Sequence, residues 1–231
     1  MSILTELEIF INEASNIYEE FNIDTIRVEY SKQHKKSKLD DLGRWKKINA
    51  NDRKILEQLK KNLTVDKVTS AYQLDNHNIY YYNSSIPPKY NKATMVIFSL
   101  KQYHKEPPPR ELIDNILNIL TFGTSKLSIN IDVCIDLSCE PNLDKLKYHY
   151  NVEPCYFKGH KTDTSYINEP NITMVDKIVF YNKQFKNDLD FPLWRVEAKI
   201  EIPNRKIISL PLYEFQELIN LIRDKQALQI A

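Results

Sequence analysis

The pattern of apolar and polar positions along this chain shows two periods, one typical of helices and one typical of strands. Apolar residues three and four positions apart indicate amphipathic helices, and this spacing occurs at residues 3–21, 51–63, 111–122 and 210–228. Alternation of apolar and polar residues indicates strands with one buried face. We predict such strands at residues 23–31, 68–74, 79–83, 93–100, 127–138, 160–166, 177–183 and 194–202.

The boundaries of these segments carry suitable local signals. Asn51 is a candidate N-cap for the second helix, a Pro-Pro break follows at Pro87, and three prolines at Pro107–Pro109 suit the start of the third helix. The helices and strands are interleaved, but the spacing is not that of βαβ units. The pattern therefore predicts an α+β fold, with a mainly antiparallel sheet and helices packed on one side.

The order of elements in the first half of the chain is repeated in the second half. This repetition suggests that the halves are two copies of one unit. We therefore predict a single domain over residues 1–231, with two lobes at about 1–122 and 123–231. A chain of 231 residues can bury a sizeable core as one domain or as two lobes that share one.

The composition indicates a soluble protein of the cytoplasm. Hydrophobic residues make up 42% and charged residues 27% of the chain, which is ordinary for a globular protein. No apolar run approaches the roughly 20 residues that span a bilayer, and the amphipathic N-terminus does not resemble a secretion signal. The three cysteines form no CxxC pair, so neither a disulfide framework nor a zinc site is indicated. We expect no membrane association.

The overall charge is close to balanced, although the charges are unevenly placed. There are 32 basic and 31 acidic residues, a net charge of +1 that is unlike a general polyanion binder. Cations are concentrated between Ser31 and Lys61, where few acids interrupt them. This run has two interpretations, a solvated surface or a surface that contacts phosphate groups. On the second, the candidate DNA-binding residues are Lys46, Lys47, Lys60 and Lys61.

Three predicted strands place charged or nucleophilic side chains on polar faces, because alternate residues of a strand point to the same side. One such face holds Asp132, Cys134 and Asp136, and Asp is disfavoured in strands. The others hold Arg195, Glu197, Lys199 and Glu201, and Tyr181 with Lys183. If the strands are neighbours, these groups converge. The competing interpretation is that the polar faces are merely solvent-exposed, that the tyrosine only packs, and that Cys134 is a small filler.

A tyrosine among carboxylates and cations suits the cleavage of a phosphodiester. Its oxygen can attack phosphorus and hold the strand end as a phosphotyrosine, which preserves the bond for rejoining. The phenol has a pKa of about 10, so it needs activation. Mg²⁺ or Mn²⁺ prefers oxygen ligands of the kind that Asp and Glu supply, while Lys or Arg can offset charge in the transition state.

The segment 177–202, KIVFYNKQFKNDLDFPLWRVEAKIEI, resembles the active-site segment of rolling-circle replication initiators from small plasmids and filamentous phages. That family carries Tyr-(Asn or Asp)-Lys at the end of one strand and Trp-Arg-(Val or Ile)-Glu at the start of the next. Here these motifs are Tyr181-Asn182-Lys183 and Trp194-Arg195-Val196-Glu197, and the upstream Ile-Asp-x-x-x-Asp motif is matched by Ile131, Asp132 and Asp136. The resemblance covers roughly residues 93 to 222 and is specific over 177 to 202.

The resemblance implies a metal-dependent DNA nicking and strand-transfer enzyme that initiates replication at an origin. By carry-over, Tyr181 is the nucleophile. If Tyr181 proves not to be the nucleophile, Tyr166 and Tyr156 are the next candidates. Lys183 and Arg195 would contact phosphate. The metal-ligand or acid-base candidates for Mg²⁺ or Mn²⁺ are Asp132, Asp136 and Glu197.

The resemblance also implies partners and a fold. The partners would be single-stranded or supercoiled origin DNA, a second copy of the chain, and host helicase and polymerase. The chain lacks the His-hydrophobe-His motif of HUH endonucleases, so those enzymes are similar to it only in fold, with each half of the chain as one HUH-like unit. The alternative function is a non-catalytic DNA-binding protein for replication or copy control of a plasmid or phage.

Overall fold

The structure is a computed structural model that describes residues 3–15, 21–30, 37–61, 67–75, 77–86, 90–98, 109, 111, 112, 115, 126–203 and 220. The helices within these ranges are α1 (Ile3–Ala14), α2 (Ser37–Asp40), α3 (Arg53–Lys61), α4 (Leu143–Leu146) and α5 (Lys183–Asn187). The strands are β1 (Asn22–Tyr30), β2 (Trp45–Lys47), β3 (Lys67–Leu74), β4 (Ile79–Ile86), β5 (Tyr90–Phe98), β6 (Lys126–Leu137), β7 (Val152–Phe157), β8 (His160–Asn168), β9 (Val175–Asn182) and β10 (Trp194–Pro203).

The chain forms two compact units. The first takes in the chain up to Asp24 together with Ile131–Glu201, and the second takes in Thr25–Asn130 and the end of β10 from Ile202. Whether the two halves of the sequence are copies of one HUH-like unit, and whether they form a single domain with two lobes, stay predictions.

In the first unit the strands follow the order β6, β10, β9, β8, β7. The pairs β10–β9, β9–β8 and β8–β7 are antiparallel. Helix α1 buries one stripe of side chains that includes Leu7 and Phe10, because its apolar residues recur at helical spacing. The ring of Phe10 packs 6.3 Å from that of Phe180 on β9 and 5.0 Å from that of Tyr150. Helix α1 therefore covers the sheet face to which Phe180 points, and the neighbouring Tyr181 points to the other face.

In the second unit the strands follow the order β2, β3, β4, β5, β1, and every neighbouring pair is antiparallel. Helix α3 packs on this sheet through a buried cluster that contains Leu59 from the helix and Ile48, Ala71, Tyr80 and Tyr82. The predicted α+β class with a mainly antiparallel sheet is therefore confirmed. None of the described helices is long and apolar enough to cross a membrane.

The strand predictions agree with the structure except at their ends, while the helix predictions need correction. The first helix ends at Ala14 and not at residue 21. The Ala14 carbonyl accepts a hydrogen bond from the Asn142 backbone N–H, 3.0 Å away. In a continuing helix this carbonyl would accept from the N–H four residues further along the chain. Asp52, not Asn51, precedes α3 as its cap, because its carbonyl accepts from the Leu56 N–H. The predicted helices at 111–122 and 210–228 lie almost wholly outside the described residues.

Short elements were missed by periodicity. These are α2, β2, α4, β7 and α5, none of them longer than six residues. Such lengths hold too few residues to display a period. Strand β7 also contains Pro154, which is tolerated because β7 lies at the edge of the strand order in its unit.

Candidate functional site

Strands β6, β10 and β9, which carry the residues singled out from the sequence, lie side by side in the first unit. On the β10–β9 pair, Arg195 stands opposite Tyr181 and Glu197 opposite Val179. On the β6 side, Arg195 pairs with Asp136 and Lys199 with Asp132. The four side chains of these two ion pairs therefore share one sheet face.

The guanidinium of Arg195 is the centre of the site. Its Nε and one terminal nitrogen donate to the two carboxylate oxygens of Asp136 at 2.5 and 2.8 Å, and its other terminal nitrogen donates to Asp24 at 2.6 Å. Arg195 is fully buried and Asp136 is 1% exposed. Burial alone would lower the pKa of Arg195, but the hydrogen bonds and the charge of Asp136 outweigh it and raise the pKa. The guanidinium thus stays charged, with the carboxylates of Asp136 and Asp24 as its partners. Contact between Arg195 and phosphate stays a prediction.

Tyr181 forms a short hydrogen bond within the same site. Its hydroxyl donates to Oε1 of Glu197 at 2.5 Å, a distance typical of a hydroxyl bound to a charged oxygen. Burial raises the pKa of Tyr181 far above its ordinary value, and the negative charge of Glu197 raises it further. Tyr181 is therefore protonated at neutral pH, and Glu197 holds the position of a proton acceptor.

Lys183 reaches this site from a helix and not from a strand. The prediction extended the strand through residue 183, but β9 ends at Asn182, whose side chain accepts a hydrogen bond from the Phe185 N–H and caps α5. Strand parity therefore does not apply to Lys183. Its side chain is buried, and both that burial and the positive charge of Arg195 lower its pKa.

Asp132 lies at the more open end of the polar face. Its carboxylate is 3.8 Å from Nζ of Lys199, and these side chains are 20% and 40% exposed. The pairs Arg195–Asp136 and Lys199–Asp132 run in opposite directions along β10 and β6, which is the pattern of antiparallel neighbours. Glu197 then lies opposite Cys134 and diagonal to Asp132 on the same face. Cys134 is buried, and burial raises the pKa of its thiol, so it is an uncharged filler as predicted.

The predicted metal ligands differ in how well they suit a divalent cation. Among the described residues, no group of three or more His, Cys, Asp or Glu side chains is arranged to hold a metal ion. Both oxygens of Asp136 face Arg195. Asp132 and Glu197 are more open and carry the oxygens that Mg²⁺ and Mn²⁺ prefer. Because Mg²⁺ is usually held by one or two carboxylates together with substrate phosphates, this pair fits better than one that includes Asp136.

The predicted DNA-binding lysines belong to the second unit. Lys46 and Lys47 are exposed on β2, opposite Gln73 and Tyr72 of β3. Lys60 and Lys61 form the end of α3, and their side chains lie outside what the structure describes. The exposure of Lys46 and Lys47 is compatible with contact to DNA phosphates and also with a surface that only faces solvent. It therefore does not distinguish the two interpretations.

Asp24 is the residue of the site that the sequence analysis missed. It accepts a hydrogen bond from Arg195, 171 positions away along the chain. A signal was present, because Asp24 falls on the same side of the alternating strand as Ile26 and Val28. A carboxylate on the apolar side of a strand is unusual, because Asp is disfavoured in strands.

Comparison with known proteins gives little further information. No protein-family model and no curated protein matches the chain. Among solved structures, it is similar to a rolling circle replication initiator protein from Geobacillus stearothermophilus, with a TM-score of 0.43 and 13% sequence identity. The match covers 89% of this chain and 79% of that one. The similarity is remote and carries no information about the chemistry of the site.

Replacing Arg195 with methionine is expected to destabilise the protein by about 3–5 kcal/mol, because Asp136 would be left buried without its counter-charge. Urea denaturation of the variant measures this loss. The matched control is the double variant Arg195→Met/Asp136→Leu, in which both charges are removed and much of the stability should return. If the double variant is as unstable as the sum of its single variants, the pair is not coupled in this way.

The raised pKa of Tyr181 predicts a specific loss of stability in alkali. The folded state keeps the phenolic proton above pH 10.0, the ordinary pKa, while the unfolded state loses it. The contribution of Tyr181 is thus fully present below that pH and declines above it, by about 1.4 kcal/mol per pH unit. Tyr181→Phe should remove this slope in unfolding free energies measured at rising pH. Equal slopes for Tyr181→Phe and wild type would mean that Tyr181 is not protected from ionisation.

Proposed function

We propose that this protein is a replication initiator that nicks and rejoins a DNA strand, with Tyr181 as the nucleophile. The observation that carries the proposal is the hydrogen bond from the Tyr181 hydroxyl to Glu197 beside the buried charge cluster of Arg195. A tyrosine that forms a bond to phosphorus must lose its proton, and a carboxylate at hydrogen-bond distance is suited to accept it. The motif resemblance described above supports the same assignment.

The proposed reaction is an exchange of two phosphoester bonds. The Tyr181 oxygen bonds to phosphorus as the bond from phosphorus to the 3′ oxygen breaks, and the phenolic proton passes to Glu197. The 3′ oxygen leaves with the bonding electron pair and takes a proton from water to become a free hydroxyl. The 5′ end is then held as a phosphotyrosine, and the reverse reaction rejoins the strand.

The other charged side chains receive supporting roles. We propose that Lys183, which lies among these charges with a lowered pKa, offsets the negative charge that develops on the phosphate. Arg195 acts as a positioning residue, because its hydrogen bonds to Asp136 and Asp24 hold β10, and with it Glu197, in place. Asp132 and Glu197 would bind Mg²⁺ or Mn²⁺, and such a cation would supply charge stabilisation to the phosphate.

The proposed partners follow from this function. They are single-stranded or supercoiled DNA of a replication origin, a second copy of the chain, and a host helicase and polymerase that extend the free 3′ end. The setting would be the cytoplasm of a cell that carries a plasmid or phage replicon.

The second candidate is a DNA-binding protein for replication or copy control that does not cut. It is favoured by the burial of Tyr181, which is only 7% exposed and has a strongly raised pKa. On this alternative, the bond to Glu197 serves packing alone. The two functions differ in whether a strand break ever forms.

A nicking assay tests the proposal. Wild-type protein is mixed with supercoiled DNA that carries the origin of its own replicon, together with Mg²⁺ or Mn²⁺, and the products are separated under denaturing conditions. We expect a nicked strand with protein attached to its 5′ end. Tyr181→Phe should abolish the adduct, and Glu197→Gln should slow cleavage by roughly 10²–10⁴-fold, the usual contribution of a general base. Asp132→Asn should also slow it.

The controls use the same substitutions at exposed positions of the first unit. Tyr148→Phe and Glu201→Gln should cut normally, since both side chains are exposed. If Tyr181→Phe still forms the adduct, another tyrosine is the nucleophile, and Tyr166 and Tyr156 are tested next. A hydrogen bond to Cys155 raises the pKa of Tyr166 to about 12, so Tyr166 would also need a base to act as a nucleophile. If wild type binds the origin but never cuts it with any metal, the non-catalytic function is correct.

Charge reversal at Lys46 and Lys47 tests the basic run. The double variant Lys46→Glu/Lys47→Glu should bind DNA more weakly, and log affinity should fall less steeply with log salt, because each lost phosphate contact removes roughly 0.9 from the slope. The melting temperature should barely change, since exposed charges contribute little to stability. An unchanged affinity and slope across the salt titration would assign both lysines to plain solvated surface.

A further inference from the structure

We infer that the tip of the β7–β8 hairpin and the exposed side of α5 form a surface on which the bases of single-stranded DNA stack. The inference rests on the proposed function, which supplies DNA as the substrate. It adds a site for the bases near Tyr181, separate from the groups that act on the phosphate.

The hairpin tip exposes large aromatic rings among cations. Tyr156 and Phe157 are 61% and 66% exposed and directly precede the two-residue turn Lys158-Gly159. Such rings are usually buried, so two neighbours left in solvent indicate a binding surface. Cationic Lys158 and Lys161 are exposed beside them, and residues 156–161 contain no acid. Nζ of Lys158 lies 5.5 Å from the centre of the Phe157 ring.

Strand register brings this tip to the same end of the sheet as the reactive tyrosine. Thr164 of β8 stands opposite Tyr181, which is the last residue but one of β9. His160, the first residue of β8, lies at the tip. It is four residues from Thr164, which is about 13 Å along the strand at the usual rise. The hairpin therefore extends beyond the end of β9.

Helix α5 starts where β9 stops and adds a third exposed ring. Phe185 is 75% exposed, although it is only four residues from Tyr181. Lys186 follows it, and Nζ of Lys186 lies 4.4 Å from the centre of the Tyr181 ring. Rings next to cations thus occur both at the hairpin tip and on α5, at the end of the sheet where the Tyr181 hydroxyl is held.

A single DNA strand suits this surface better than other occupants. Aromatic side chains stack on bases of any sequence, and lysines track the phosphates. In a duplex the base faces are already stacked on one another and are not available. A purely apolar partner would bring apolar groups against the charged side chains of Lys158, Lys161 and Lys186, which is unfavourable.

The turn itself provides a variant that separates binding from folding. Lys158 and Gly159 both have positive φ, 50° and 82°. This is the pattern of a turn that favours Asn-Gly, and it disfavours a lysine. Lys158→Asn therefore removes a cation and also fits the backbone better. We expect weaker DNA binding together with an equal or higher melting temperature.

The test measures binding of fluorescein-labelled oligothymidylate and of its duplex with oligoadenylate, by anisotropy in EDTA. All proteins carry Tyr181→Phe, so that no strand is cut. The parent should prefer the single strand. Tyr156→Ala/Phe157→Ala and Phe185→Ala should each bind it about 5-fold to 150-fold more weakly, from roughly 1–3 kcal/mol per stacked base. Lys158→Asn should lower the salt slope by roughly 0.7.

The control is Tyr148→Ala, which should bind like the parent. Tyr148 is 86% exposed and has lysines at positions 145 and 147, but it precedes the opposite end of β7. The inference is overturned if Tyr148→Ala loses as much affinity as the tip variants, or if the tip variants lose none. It is also overturned if the tip variants bind DNA like the parent but lose self-association, measured by sedimentation, or lose binding to anionic vesicles. Retained binding without nicking by the wild type would overturn the proposed function instead.

Discussion

The ion pairs of Arg195 are the interaction on which the first unit depends. A buried guanidinium without partners would cost several kcal/mol, and it is tolerated only where carboxylates are held close to it. Its two partners come from different strands, Asp136 from β6 and Asp24 from the start of β1. A shift of the register by one residue would turn Arg195 to the opposite face and leave both carboxylates without it. The pairing of these strands and the burial of the charge therefore require one another.

The chemistry of Tyr181 is a consequence of the same arrangement. Cross-strand pairing sets Tyr181 opposite Arg195, and the alternation of β10 places Glu197 on the face that Arg195 occupies. Burial that strengthens the ion pairs also keeps the phenol protonated. A tyrosine in such surroundings is a poor nucleophile by itself, because little phenolate is present at neutral pH. Any reaction at this position needs a base within hydrogen-bond distance, and Glu197 is at that distance.

The alternation of residues predicted the strands and the shared polar face, because a period of two is visible over eight or more residues. It did not predict which charges would pair. The partners of Arg195 lie 59 and 171 positions away, and only the strand order brings them together. Lys183 was assigned to a strand because the five-residue helix it begins is too short to show a period, and its start depends on the cap formed by Asn182. Asp24 could not be assigned to the site from the sequence alone, because only the strand order brings it to Arg195, 171 positions away.

The place of Tyr181 near the end of β9 decides how a polymer could reach it. In the middle of a strand, a residue buried on this face would be enclosed by neighbours along the strand in both directions. Strand β9 ends at Asn182, one residue after Tyr181, and Asn182 caps the start of α5. On that side of Tyr181 the chain therefore forms a short helix and does not continue the strand. The longer β8 continues past this point. Arg195 and Asp136 are buried beside Tyr181, whereas the exposed rings lie beyond the end of β9. The sheet can therefore keep a charged, tightly bonded site and still present it at an edge.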